Sequence, residues 1–248
     1  MVSLTKTIKS VAQTFGLDIV RHSRDFSPKN LDIFGKVEPY TMTSLERVNA
    51  LVDAVHYVVN HNIEGAMVEC GVWKGGSSMA MAYALQDIGN KERELYLYDT
   101  FAGMSAPSDE DVSIHGQDAK QKFSAVKLAE DESDWCLSPL DEVKENLNRT
   151  GYPTDKIHYV QGKVEDTIPG TIPDEIAILR LDTDWYESTK HEMEHLFPRL
   201  KPSGVLILDD YGHWEGARKA VDEYIANNNV RILLNRIDSS GRIAIKTA

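Results

Sequence analysis

Four aspartates follow two apolar runs of the sequence and could together bind a metal ion. Asp182 and Asp184 come directly after one run, and Asp209 and Asp210 come directly after another. Carboxylates gathered at the mouth of a buried sheet repel one another and are poorly solvated, so they need a compensating cation. Oxygen ligands without convergent Cys or His favour Mg²⁺. The pattern predicts a magnesium site; the alternative is that these aspartates only cap loops and a helix.

A glycine-rich segment, 68–78, runs from an apolar strand pattern into a helix and is typical of a nucleotide-binding turn. A dinucleotide fold requires a glycine where Trp73 stands, and a phosphate-binding loop requires Gly-Lys-Ser/Thr where Gly76 is followed by Ser77. S-adenosylmethionine carries no phosphate, and it needs close backbone approach and an acid for its ribose hydroxyls. Asp99, at the end of the next strand pattern, could be that acid. The segment therefore favours S-adenosylmethionine; a turn that only packs a helix on a strand is the alternative.

One short motif matches the helical signature of zinc proteases by its letters. The segment 191–195 reads His-Glu-Met-Glu-His, which has the H-E-x-x-H spacing. It lies in the middle of a helical pattern expected to cover the sheet, away from the strand ends, and no third ligand is evident nearby in sequence. We expect this segment to be structural.

From residue 66 onward, short apolar runs alternate with helical patterns, which is typical of a parallel sheet with crossover helices. Strands are predicted at 66–71, 94–99, 157–161, 176–181 and 204–209, with helices at 77–88, 139–149, 187–198 and 215–227. The runs 230–234 and 242–245 predict a terminal hairpin whose last strand is antiparallel. The sequence thus predicts an α/β fold with a doubly wound, seven-stranded, mostly parallel sheet, and its ligands should lie beyond the carboxyl ends of the strands.

The N-terminal part, 1–62, carries two helical patterns. Apolar residues recur at the spacing of one helix face over 4–20. That pattern predicts an accessory helix, and we favour a role for it that includes contacts in a homo-oligomer. Thr43 and Glu46 have the spacing of a capping box at the start of a second helix. Its broad apolar stripe should lie against the sheet.

One connection between strands is longer than a compact crossover needs. The excess, 103–138, contains Pro107, Gly116, two acidic runs and Trp135. Long loops in compact domains are usually functional or disordered. We expect a mobile lid over the site, with a solvated surface insertion as the alternative.

Composition narrows the class of protein. The 248 residues include 27 Lys and Arg against 39 Asp and Glu, a formal charge of −12, and 42% are hydrophobic, enough for the core of one domain. Without a basic run, no nucleic-acid partner is expected. Cys70 and Cys136 form neither a disulfide framework nor a thiolate zinc site, which predicts a cytoplasmic protein. No apolar run approaches the ~20 residues of a membrane span, and we expect neither a membrane partner nor a signal peptide.

Taken together, these motifs resemble those of the macrocin O-methyltransferase family, metal-dependent S-adenosylmethionine enzymes that methylate sugar hydroxyls of antibiotics. The likeness covers nearly all of the chain. It is carried by 40–43, 69–76, 99–101 and 165–169, and most specifically by Leu181-Asp182-Thr183-Asp184-Trp185-Tyr186-Glu187-Ser188-Thr189 and Leu208-Asp209-Asp210-Tyr211-Gly212. Thr183 and Trp185 depart from the residues common in the family, at positions that flank the acceptor.

The resemblance implies a role for each matching position. It implies that Asp182, Asp209 and Asp210 bind the metal and that Asp184 is the general base. It implies cofactor contacts from the remaining positions, which are Glu69, Gly71, Asp99, Val164, Glu165 and, near the methionyl end, Thr41 and Met42.

The sequence therefore predicts an enzyme that transfers a methyl group from S-adenosylmethionine to a sugar hydroxyl of a glycosylated natural product or related glycoside. Mg²⁺ would bind two neighbouring hydroxyls of the acceptor. A catechol-type O-methyltransferase is an alternative, although such enzymes usually carry Asn where Asp210 stands. A nucleotide-sugar oxidoreductase is disfavoured by Trp73, and a non-catalytic subunit is disfavoured by the four aspartates.

Overall fold

The computed structural model describes Thr14 and residues 25–247, and a seven-stranded sheet forms its centre. The strands in chain order are β1 (Ala66–Cys70), β2 (Leu95–Asp99), β3 (Lys127–Ala129), β4 (Glu132–Ser133), β5 (Ile157–Gln161), β6 (Ile176–Leu181), β7 (Leu200–Leu208), β8 (Asn235–Arg236) and β9 (Arg242–Ile245). The sheet order is β5-β2-β1-β6-β7-β9-β8, and the first five are parallel neighbours. β9 is antiparallel to both β7 and β8. The predicted α/β fold with a mostly parallel, seven-stranded sheet is confirmed.

Helices cover both faces of this sheet. They are α1 (Pro28–Val37), α2 (Leu45–Asn60), α3 (Gly76–Asp87), α4 (Ala119–Val126), α5 (Leu140–Asn148), α6 (Val164–Thr167), α7 (Tyr186–His195) and α8 (Glu215–Asn227). Buried residues of α1, α2, α3 and α5 form one core with the sheet, whereas those of α6, α7 and α8 form another. Successive strand residues point to opposite faces, so Val205 and Ile207 join the first core and Leu206 and Leu208 the second. This is the doubly wound arrangement expected from the sequence.

The start of α2 differs from the predicted capping box. The N-cap is Ser44, whose Oγ accepts a hydrogen bond from the Arg47 N–H at 3.2 Å. The hydroxyl of Thr43 instead donates to Asp209 Oδ2 at 3.1 Å. The prediction was wrong because a carboxylate far along the chain binds the hydroxyl that the spacing had assigned to the helix.

The terminal hairpin is shorter than predicted. Its first strand is Asn235–Arg236 rather than 230–234, and two residue pairs join it to β9. The side chains of Val230, Ile232 and Leu234 still pack against the core beneath α8, while Leu233 is 75% exposed. The alternation of apolar residues over 230–234 therefore arises because one side of the chain packs on the core. This segment does not form strand hydrogen bonds with β9.

The insertion 103–138 has its own secondary structure. It contains α4 followed by the two-stranded antiparallel sheet of β3 and β4. Neither element was predicted from the sequence, because both are short and largely polar. The predicted helix over 4–20 lies outside the described residues apart from Thr14, which is helical. In the part of the chain that is described, no helix has the length and apolar character needed to cross a membrane.

Candidate active site

The carboxyl ends of four neighbouring strands meet at one edge of the sheet and carry the predicted acidic residues. Glu69 lies in β1, Asp99 ends β2, and Asp182 and Asp209 follow β6 and β7. Because β1, β6 and β7 pair in parallel with their last residues in register, the segments after them start side by side. Side chains that are distant in the sequence are therefore neighbours at this edge.

Three of the four predicted aspartates form a close cluster. Carboxylate oxygens of Asp182, Asp184 and Asp210 all lie within 4.8 Å of one another. Within the residues that the structure describes, this is the one group of three or more acidic, His or Cys side chains at such a spacing. A donor set made only of carboxylate oxygens fits a hard divalent cation such as Mg²⁺.

Beneath the cluster lies a fully buried arginine that the sequence analysis did not single out. Arg180, in β6, is 2% exposed. Its Nη1 donates to Glu69 Oε1 at 2.6 Å and to Asp182 Oδ2 at 2.7 Å. Its Nη2 donates to Asp209 Oδ1 at 2.6 Å and to Thr43 Oγ1 at 3.1 Å. The sequence signal for it is a lone cation within an otherwise apolar strand, since such a charge is buried only with partners.

Asp209 is held differently from the other aspartates. Its Oδ1 accepts from Arg180, and its Oδ2 pairs with Nη1 of Arg47, which lies in α2. Arg47 Nε is also 2.9 Å from Asp238 Oδ2 in the turn between β8 and β9. Each carboxylate oxygen of Asp209 is thus paired with a guanidinium group. Asp209 is the predicted aspartate that lies outside the close cluster, and Asp184 lies within it. Metal binding by Asp209 stays a prediction.

Burial makes the clustered carboxyls weaker acids than a carboxyl in water. Burial raises the pKa of Asp182 and Asp210 well above the ordinary value, and the charges of neighbouring aspartates add to the effect. Burial likewise raises the pKa of Asp184 to about 7, although a hydrogen bond with Asp210 lowers it. Near pH 7 the Asp184 carboxyl of the metal-free protein is therefore protonated in part. A bound divalent ion would supply the positive charge that this proton provides.

The glycine-rich turn approaches the cluster closely. Gly71 has φ of +83°, and a Cβ there would lie 2.0 Å from the carbonyl oxygen of Asp182. Asp99 holds the same turn, since its Oδ2 accepts from the N–H groups of Val72 at 2.7 Å and Trp73 at 3.0 Å. A ribose contact by Asp99 stays a prediction, and anchoring of the turn is a second role that the sequence did not reveal.

Two adjoining cavities flank the turn, and the predicted cofactor residues line them. The inner cavity is lined by, among others, Gly71, Asp99, Val164, Glu165, Asp182 and Thr183. The outer cavity, of about 340 Å³, is lined by, among others, Thr41, Met42, Glu69, Trp73, Asp182, Asp184, Asp209 and Asp210. Asp182 borders both. An elongated ligand could therefore pass from the inner cavity to the aspartates.

The zinc-protease motif has a structural role. Glu192 is completely buried in α7, where its Oε2 accepts from Thr183 Oγ1 at 3.2 Å. Burial raises the pKa of Glu192 well above its usual range, and the hydrogen bond from Thr183 opposes that shift. His191 Nε2 lies 2.9 Å from the carbonyl oxygen of Ile168. These contacts agree with the expectation that the motif packs the helix on the sheet.

We predict that Arg180→Met lowers the free energy of unfolding by about 3–5 kcal/mol, because it leaves buried carboxylates without their cation. Urea denaturation of the metal-free protein measures this loss. Arg199→Met is the matched control, since Arg199 is 35% exposed and a surface pair of this kind contributes less than about 1 kcal/mol. Similar losses in the two variants would contradict the central place given to Arg180.

We also predict a pH-dependent stabilisation by Mg²⁺. The folded protein protonates Asp184 with a pKa of about 7, against 3.8 for a free carboxyl. Between these values only the folded state holds the proton, so stability of the metal-free protein falls as pH rises toward 7. Because protons and metal compete, Mg²⁺ should raise the melting temperature more at about pH 8 than at about pH 5.5. Asp184→Asn should flatten the metal-free dependence. An equal or larger Mg²⁺ effect at the lower pH would refute this account.

Comparison with known proteins identifies the family. The sequence model for macrocin-O-methyltransferase (TylF) matches residues 21–244. An 8-demethyl-8-(2,3-dimethoxy-alpha-L-rhamnosyl)-tetracenomycin-C 4'-O-methyltransferase of Streptomyces olivaceus is 34% identical over 202 residues, covering 82% of this chain and 74% of the relative. The mycinamicin III 3''-O-methyltransferase of Micromonospora griseorubida is 30% identical, covering 82% of this chain and 76% of the relative. The solved structure of the O-methyltransferase NovP has a TM-score of 0.73 and 26% identity, covering 84% of this chain and 83% of that one.

The matches span the strands, the glycine-rich turn and the aspartate segments described above. They remove the nucleotide-sugar oxidoreductase alternative, because family and relatives alike are methyltransferases. The chain belongs to the macrocin-O-methyltransferase family and is an O-methyltransferase.

Proposed function

We propose that this enzyme transfers a methyl group from S-adenosylmethionine to a sugar hydroxyl of a glycosylated natural product or related glycoside, with Mg²⁺ at the aspartate cluster. The observation that carries the proposal is the half-buried cluster of Asp182, Asp184 and Asp210, whose member Asp182 lines both cavities. The names of two relatives add support, since one acts on a rhamnosyl tetracenomycin and the other on mycinamicin III.

The proposal assigns the adenosine part of the cofactor to the inner cavity. Asp99 would bind the ribose hydroxyls, and Val164 and Glu165 would border the adenine. Thr41, Met42 and Glu69 would surround the methionyl end in the outer cavity, to which Gly71 permits close backbone approach. When bound, S-adenosylmethionine supplies a methyl group activated by the positive charge on its sulfur.

For the metal, the proposal assigns Asp182, Asp209 and Asp210, with Asp184 left to accept the proton of the sugar hydroxyl. When bound there, Mg²⁺ would stabilise the developing alkoxide as a Lewis acid. A pKa of about 7 suits Asp184 to proton transfer near neutral pH. A metal bound by Asp209 would share its Oδ2 with the guanidinium of Arg47, which pairs with that oxygen.

A group of three tryptophans next to Asp184, the proposed base, would exclude water from the site. Trp135, Trp185 and Trp214 have ring centroids 5.1 to 6.2 Å apart, and Trp185 and Trp214 are almost fully buried. In the proposed mechanism, this apolar cluster would help to keep competing water from the reacting oxygen. Trp135 belongs to the insertion 103–138, which is therefore the proposed lid.

The assignment of Asp184 leads to a test that separates the base from the ligands. Asp184→Asn should keep S-adenosylhomocysteine and Mg²⁺ affinities within about threefold yet lose at least about 100-fold in turnover, because a general base contributes factors of that order. Asp209→Asn, the matched variant, should instead weaken Mg²⁺ binding. Isothermal titration calorimetry and turnover measure both. If Asp184→Asn weakens Mg²⁺ binding as much as Asp182→Asn does, Asp184 is a ligand and the base assignment fails.

The acceptor class is tested with a panel in which only the diol differs. We expect Mg²⁺-dependent methylation of a rhamnoside with free neighbouring hydroxyls and no methylation of a simple catechol, detected by mass spectrometry with S-adenosylmethionine present. Removal of the metal with a chelator should abolish the product. Methylation of the catechol alone would favour the catechol-type alternative, and methylation of neither glycosides nor catechols would refute the proposed function.

A further inference from the structure

A buried aspartate in the insertion contacts the helix that follows the proposed base. Asp111 is 1% exposed. Its Oδ1 accepts from the backbone N–H of Tyr186 at 2.8 Å, and its Oδ2 accepts from Ser108 N–H at 2.6 Å and Ser108 Oγ at 2.8 Å. Both oxygens therefore have partners, and one partner is the first residue of α7.

Asp111 acts as the N-cap of α7 from outside that helix. The residue at the N-cap position is Trp185, whose indole offers no oxygen to the free N–H groups of the first turn. The carboxylate of Asp111 instead accepts a hydrogen bond from the first of these N–H groups, that of Tyr186. The positive end of the helix dipole also favours a carboxylate at this position. Gly216 makes room for it, because a Cβ there would lie 2.2 Å from Asp111 Oδ1.

The contact matters because of the backbone just before the helix. Asp184 has φ of 70°, which is in the left-handed region that residues with a side chain rarely adopt. Such a conformation persists only when the surrounding structure holds it. The next two residues are held by the insertion: Trp185 Nε1 donates to the carbonyl oxygen of Ser105 at 3.0 Å, and Tyr186 N–H donates to Asp111.

The insertion also binds the loop that carries Asp210. The Ile114 N–H donates to the carbonyl oxygen of His213 at 2.9 Å, and the Glu215 N–H donates to that of Val112 at 2.9 Å. The insertion thus joins the loops after β6 and β7, which carry the two aspartates that share a hydrogen bond.

We propose that Asp111 is a positioning residue, which keeps Asp184 in its reactive conformation by capping α7. The inference rests on the proposed function, in which Asp184 accepts the hydroxyl proton. It makes the insertion part of the catalytic geometry as well as a cover, because the capping carboxylate comes from the insertion itself.

The test compares Asp111→Ala, Asp111→Asn and the control Asp118→Ala. Asp118 caps α4 within the same insertion through the Lys120 N–H at 2.8 Å, and that helix is not one of those flanking the aspartates. Removal of either cap alters the insertion, but only Asp111→Ala frees the residues after Asp184. Asp111→Asn retains a carbonyl oxygen for the Tyr186 N–H but loses the acceptor for the Ser108 N–H, so it should recover part of the function that Asp111→Ala loses.

Two readouts are made on the full chain. Steady-state kinetics use the glycoside that passes the acceptor panel, and we expect Asp111→Ala to lower kcat by roughly 10- to 100-fold, the scale of a small misplacement, with little change in KM. Hydrogen–deuterium exchange of the metal-free protein should show faster exchange at 184–190 in Asp111→Ala than in Asp118→Ala.

Three results would overturn the inference. They are an equal kcat loss in Asp111→Ala and Asp118→Ala, a rise in KM alone, and unchanged exchange at 184–190. If the unaltered enzyme methylates no glycoside, the proposed function fails by itself. The exchange comparison then still decides whether Asp111 holds the segment after Asp184.

Discussion

The buried guanidinium of Arg180 is the interaction on which the rest of the site depends. It lies in the central strand β6 and binds three carboxylates, which are Glu69 in β1, Asp182 directly after β6, and Asp209 directly after β7. Without this cation, three strands could not bring acids to one buried edge, because the desolvated charges would repel one another. Its planar fork of donors also sets the direction of each carboxylate.

Arg180 and Arg47 together leave the cluster short of positive charge. They pair with Glu69, Asp209 and one oxygen of Asp182, whereas Asp184 and Asp210 share a hydrogen bond. A divalent cation would balance the negative charge of the carboxylates that these two arginines leave unpaired. Arg180 and Arg47 therefore fix the geometry of the site as permanent cations. The cluster would hold an exchangeable divalent cation, which would take part in the chemistry.

Segments remote from the sheet edge complete the site. Arg47 links Asp209 to Asp238, and Ser240 Oγ donates to the carbonyl oxygen of Asp209 at 2.6 Å, so the turn between β8 and β9 supports the aspartate loop. On the opposite side, the insertion 103–138 binds the loops after β6 and β7. The segments outside the sheet thus complete a site whose acids are held in place by the strands.

Local pattern alone determined the five parallel strands and β9, most helices and the edge at which the acids meet, because hydrophobic periodicity and glycine turns act over a few residues. It also placed the aspartates at strand ends. Only the tertiary structure decided that Ser44 rather than Thr43 caps α2, that Arg180 lies among Glu69 and the aspartates, and that Asp111 caps α7. Each of these depends on a pairing between residues far apart in the chain, such as Arg180 with Glu69, 111 positions away. Such pairings follow from how the elements pack, which no short stretch of sequence encodes.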